Sequence, residues 1–97
     1  MIYAEIARER LSPASSTPFT STNIPPTRLN VLYVRIQSIN GIIFYRTDGS
    51  DADTATGFKL PENSVVEIHG GNAITNFRCI DNGDSAELEC KYMGQGG

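Results

Sequence analysis

Tryptophan is absent, histidine occurs once and cysteine only twice, which leaves little material for a metal or cofactor site. His69 cannot complete a four-ligand zinc set, and Cys79 and Cys90 stand at a spacing that fits no zinc motif. Basic residues are few and scattered: eight Lys and Arg face eleven Asp and Glu, for a net charge of -3. That balance argues against nucleic-acid binding, which rests on phosphate neutralisation by clustered cations. No apolar run approaches the roughly 18 residues needed to cross a bilayer, so no membrane role is expected. Residues 1–10 lack the continuous apolar stretch of a signal peptide. Synthesis in a reducing compartment is therefore expected. The two cysteines flank a turn signal that could bring them into a disulfide, but they read better as free, buried, small hydrophobes.

What is present is β-like. The chain has 97 residues, the length of one domain. Residues 2–7 lean towards a strand. Residues 12–27, SPASSTPFTSTNIPPT, carry no charge and four prolines, which excludes a helix or a central strand. This segment reads as an extended arm, and Phe19 and Ile24 are the two side chains that could anchor it to another surface.

Residues 29–39 and 42–46 are rich in Val, Ile, Leu and aromatics, and Asn40-Gly41 separates them. Asn-Gly between two such runs predicts a two-residue hairpin, because its turn needs positive φ at both centres. Ile39 would then face Ile42, Ser38 would face Ile43 and Ile36 would face Tyr45. Leu32, Val34, Ile36, Ile43 and Tyr45 form the expected core face. Arg35, Gln37, Phe44 and Arg46, with Ile39 and Ile42, form a mixed face that meets water or a partner. Residues 47–57 are a polar loop, 58–60 a short return, 61–63 a turn and 64–69 a strand. Gly70-Gly71-Asn72 reads as a turn. Residues 73–80 and 86–93 suggest a second hairpin around 81–85, with Phe77, Cys79, Ala86, Leu88, Cys90 and Tyr92 inward. Strand signals at this spacing, with no long helical period, predict an all-β fold: a small antiparallel β-sandwich, jelly-roll-like, or a small barrel. The expected organisation is an N-terminal strand and arm over 1–28, the sandwich over 29–93 and a flexible tail over 94–97.

Signs of chemistry are sparse. Asp48, Asp51 and Asp53 crowd one loop, but D-G-S-D-A-D departs from the calcium-loop order and no Glu closes it, so a solvated turn is the simpler reading. His69 has no nucleophile motif beside it, and Gly70-Gly71 belongs to no phosphate-loop signature. Tyr33, Phe44 and Tyr45 cannot form one stacking platform, since adjacent strand residues point to opposite faces. No catalytic residue, metal or cofactor is expected, and the chain does not read as an enzyme.

Four stretches carry a family resemblance: IIFYRTDGS (42–50), TATGFKL (54–60), NAITNFRCI (72–80) and SAELECKY (85–92). Together they are similar to small virion proteins of tailed bacteriophages. The shared outline is an aliphatic-x-Tyr-Arg-x-Asp-Gly segment, a Thr-rich loop ending in Gly, a Phe-Arg-x-Ile strand and a final x-Leu-x-x-x-Tyr strand. Asp51-Ala52-Asp53 stands where the family pattern has a proline. The resemblance implies a capsid decoration or cement protein that binds the assembled head and stabilises it. Its partners would be the major capsid protein and copies of itself, and its location the virion, after synthesis in the host cytoplasm. A head–tail connector, a tail protein and a carbohydrate-binding β-sandwich are the competing expectations. Phe19, Ile24, Ile39, Ile42 and Phe44 are the expected contact residues for capsid or subunit.

Overall fold

The computed structural model describes residues 3–20 and 31–95, with side chains over 5–20 and 31–94. Seven strands form two antiparallel sheets. The first holds β1 (Tyr3–Leu11), β7 (Glu87–Gln95), β2 (Val31–Ile39) and β5 (Val65–His69), in that spatial order. The second holds β4 (Phe58–Leu60), β3 (Ile43–Arg46) and β6 (Arg78–Asp81). One five-residue helix, α1 (Gly71–Thr75), lies between β5 and β6. The mostly antiparallel, two-sheet arrangement is that of an all-β sandwich.

Alternation builds the core. Val34 and Ile36 of β2, Ile68 of β5 and Leu88, Cys90 and Tyr92 of β7 turn inward from one sheet. Ile43, Leu60 and Cys79 meet them from the other, and Phe77, Ile74 and Ala86 fill the ends. Leu32, expected inward, is 40% exposed, because the register of β2 against β7 slips between Val31 and Tyr33. Tyr45 is only partly buried at the core margin.

Both expected hairpins are instead crossings between sheets. β2 pairs with β5 and β7, while β3 pairs with β4 and β6, so Ile36 and Tyr45 face each other across no ladder. Asn40 takes a φ of 61° and Gly41 of 150°, and together they turn the chain from the first sheet into the second. The corner is held from a distance: the Ile42 N–H donates to Asp84 Oδ2 at 3.1 Å. A Cβ on Gly41 would stand 2.3 Å from that oxygen, which explains the glycine. Asp84 belongs to the second crossing, between β6 and β7. The third, between β4 and β5, is tied to Ser38, whose buried hydroxyl donates to Pro61 O and whose carbonyl accepts the Asn63 N–H at 2.9 Å. Gly70-Gly71-Asn72, read as a turn, opens α1; Gly70 supplies the positive φ of 93° and Ile74 buries the helix against the core.

Residues 3–20 are part of the sandwich. β1 pairs with β7 from Tyr3 to Leu11, with a bulge between Glu5 and Ala7. Thr17 then bridges Cys79 by two backbone bonds of 2.9 Å, so the segment after β1 lies along β6. β7 continues to Gln95, beyond the expected start of a tail.

Candidate functional site

The expected contact residues do not come together. Phe19 is an anchor, but to its own core: it is 2% exposed and its ring stacks on Phe77. Its ring closes the gap between the sheets, against Phe77 and Tyr92. Ile24 lies outside the described residues. Ile39 ends β2 on the outer side of the first sheet, half-buried, opposite Glu87. Ile42 sits in the crossing and Phe44 in the second sheet. The mixed face expected of one hairpin is thus divided among two sheets and the corner between them.

Phe44 is half-covered by its own chain. The 47–57 loop folds back over β3, so that a Cβ on Gly57 would lie 3.0 Å from Phe44 Cβ. Ala52 is buried and its N–H donates to Ser16 Oγ at 3.0 Å, fastening the loop. Two of the loop's three carboxylates, Asp48 and Asp53, are engaged within the loop and with Arg46. Asp53 Oδ1 accepts the N–H groups of Thr56 and Ala55 at 2.7 and 2.8 Å. Asp48 is gripped by Arg46 and accepts the Ser50 N–H, which holds its carboxyl down to about 2. Among the described residues no three His, Cys, Asp or Glu side chains gather to hold a metal ion.

Among the described residues, none covers the outer face of the first sheet, where Arg8, Arg10 and Arg35 are exposed. Its register sets Arg8, Lys91, Arg35 and Glu67 in one line across all four strands. Arg10, Glu89, Gln37 and Val65 make the next line, and Glu5, Met93, Tyr33 and His69 the one beyond. Carboxylates answer most of the cations: Arg8 meets Glu5 at 2.9 Å, Arg10 meets Glu89 at 2.8 Å and Arg35 meets Glu67 at 3.2 Å. Lys91 makes no ion pair among the described residues and stands between two arginines. Such exposed pairs add little stability. Their effect is to make a broad, flat, polar face of mixed sign.

On one side of the sandwich the described residues leave the sheets unclosed. A groove of about 270 Å³ runs between β4 and β5, lined by Tyr45, Phe58, Val66, Ile68 and Ala73, with Glu67 and His69 on its rim. Phe58 is 66% exposed beside it, its ring 5.7 Å from that of Tyr45. His69 stacks on Tyr33 at 4.8 Å, and its Nε2 lies 3.0 Å from Glu67 Oε1. This seam escaped the sequence reading because a three-residue return gave Phe58 no periodicity to judge. The signal was its place in a short strand just before Pro61, the mark of a sheet edge.

Cys79 and Cys90 lie on opposite sheets, both buried and both free. Burial pushes the Cys79 thiol up to about 12 and raises that of Cys90 as well, so neither is a nucleophile at neutral pH.

No protein-family model, curated protein or solved structure matches this chain.

Proposed function

We propose that the chain is a jelly-roll structural protein of a tailed-phage virion, a decoration or cement protein that binds the assembled head. The observation that carries the reading is the strand pairing. A jelly roll is a long antiparallel hairpin rolled into two sheets. If the Thr17 segment is counted as a strand, eight strands follow in chain order, and first pairs with last, second with seventh, third with sixth and fourth with fifth. Here these are β1 with β7, Thr17 with β6, β2 with β5 and β3 with β4. Viral capsid and lectin domains use this architecture. Fold alone assigns no function; the resemblance of residues 42–92 to phage virion proteins supplies the choice.

The contact surface in this reading is the open outer face of the first sheet, since Phe19 is spent on the core and the other sheet is covered by its loop. Four strands wide and mixed in sign, that face suits a polar patch on a preformed shell. The test is to add the purified protein to heads of the encoding phage that lack it. Co-sedimentation with assembled shells but not with free shell subunits, and a rise in shell melting temperature, are expected. Failure to bind shells would overturn the decoration role; binding only to the portal or tail would move the protein to the head–tail junction.

A further inference from the structure

We propose that two copies of this chain pair through β5, antiparallel and about a two-fold axis at Ile68, joining their first sheets into one. The edges at β1, β4 and β5 are guarded unequally. An open edge invites another strand unless bulges, prolines, short length or charges prevent it. β1, one edge of the first sheet, has such protection: a bulge between Glu5 and Ala7, the carboxylate of Glu9 turned to the inner side, and Arg8 and Arg10 along its outer side. β4, an edge of the second sheet, has only three residues and stops at Pro61. β5 carries Glu67 on its outer side but has no bulge and no proline. It keeps unbroken register with β2, turns no charge inward and leaves Val65 50% exposed. Beside it lie the open groove and the exposed ring of Phe58.

The sequence of β5 selects a register for a second copy. Self-pairing centred on Glu67 would set carboxylate against carboxylate, which is unfavourable. Centred on Val66, it would set the apolar Val65 against Glu67. Centred on Ile68, it sets each His69 opposite the partner's Glu67, and symmetry makes the contact twice. Glu67 Oε1 and Oε2 are already met by His69 and Arg35, and a carboxylate accepts further donors on its remaining lone pairs. Main-chain bonds supply the affinity of strand addition, and the side-chain pattern supplies the register. Both copies of the groove then lie next to the new junction, where Ile68 meets Ile68. This pairing stands independently of whether the protein decorates a shell.

Sedimentation equilibrium on the full chain tests it. A concentration-dependent dimer is expected, with amides of β5 gaining protection from hydrogen exchange as concentration rises. His69→Glu, at an exposed position, places like charges across the axis and is expected to weaken the dimer roughly tenfold or more. Adding Glu67→Lys to His69→Glu places opposite charges across the axis and is expected to recover it. A monomer at every concentration overturns the proposal. So does a dimer that His69→Glu leaves unchanged, one that the double exchange fails to recover with the fold intact, or one whose new protection falls outside β5.

Discussion

The rings of Phe19 and Phe77 lie face to face, their centroids 4.0 Å apart and their planes 4° from parallel, while Tyr92 meets Phe19 edge-on at 5.5 Å. This relationship ties the segment after β1 into the gap between the sheets. Phe19→Ala is therefore expected to cost about 3–5 kcal/mol. That is a large part of a small domain's stability of about 5–15 kcal/mol. Urea unfolding measures it. A loss below about 1 kcal/mol would mean that the arm packs elsewhere.

Glu9 is the second fastening. Its carboxylate accepts the Tyr92 hydroxyl, the Thr20 hydroxyl and, at 3.1 Å, the Thr20 N–H. Glu9→Ala removes an acceptor shared by three donors and is expected to cost about 1–3 kcal/mol. A double-mutant cycle with Thr20→Val should show coupling of about 0.5 kcal/mol or more. Strict additivity would contradict the clamp.

Gly41 is the third. Its φ of 150° and the 2.3 Å approach of Asp84 Oδ2 leave no room for a side chain. Gly41→Ala is expected to destabilise by about 1–3 kcal/mol, as overpacking does. Asp84→Ala in the same background should relieve part of that loss while itself losing the Ile42 bond. Equal stability of Gly41→Ala and the parent would show that the corner is not locked this way.

These contacts explain what the sequence could and could not reveal. Alternation marked Val34, Ile36, Ile43, Leu88, Cys90 and Tyr92 as inward, and all are buried. It could not tell whether the next strand lies beside its predecessor or across the core from it, because inward residues alternate identically in both cases. Asn40-Gly41 supplied a tight turn as its composition requires. Its direction is decided by Asp84, more than forty residues away in the chain. Phe19 was recognisable as an anchor, but its target was not, since Phe77 and Tyr92 come together only when both sheets are in place. The charged lines on the first sheet follow from register, which local pattern does not give.

The pH dependence of stability has two limbs. Asp48 is held down to about 2 by Arg46 and the Ser50 N–H. Asp53 is lowered by the Thr56 N–H and hydroxyl and the Ala55 N–H, Asp84 by the Ile42 N–H, Glu5 by Arg8, and Glu67 by His69 and Arg35. Lowered acids stabilise fully above the ordinary carboxylate pKa of about 4 and lose that contribution as pH falls towards about 2. The buried thiols act oppositely. With Cys79 pushed up to about 12, their contribution is full below the ordinary thiol pKa and is lost as pH rises above it. Melting temperature is expected to be flat near neutrality and to fall on both sides. At neutral pH neither thiol should react with a thiol reagent until the chain unfolds; rapid labelling of the native protein would contradict their burial.

The proposed virion role is tested most directly by the copy number of this chain, counted by mass spectrometry, in purified phage particles from cells that produce it. A shell-covering decoration protein predicts hundreds of copies per particle. Absence from the particles would contradict the virion role, and about a dozen copies would contradict decoration while fitting a connector.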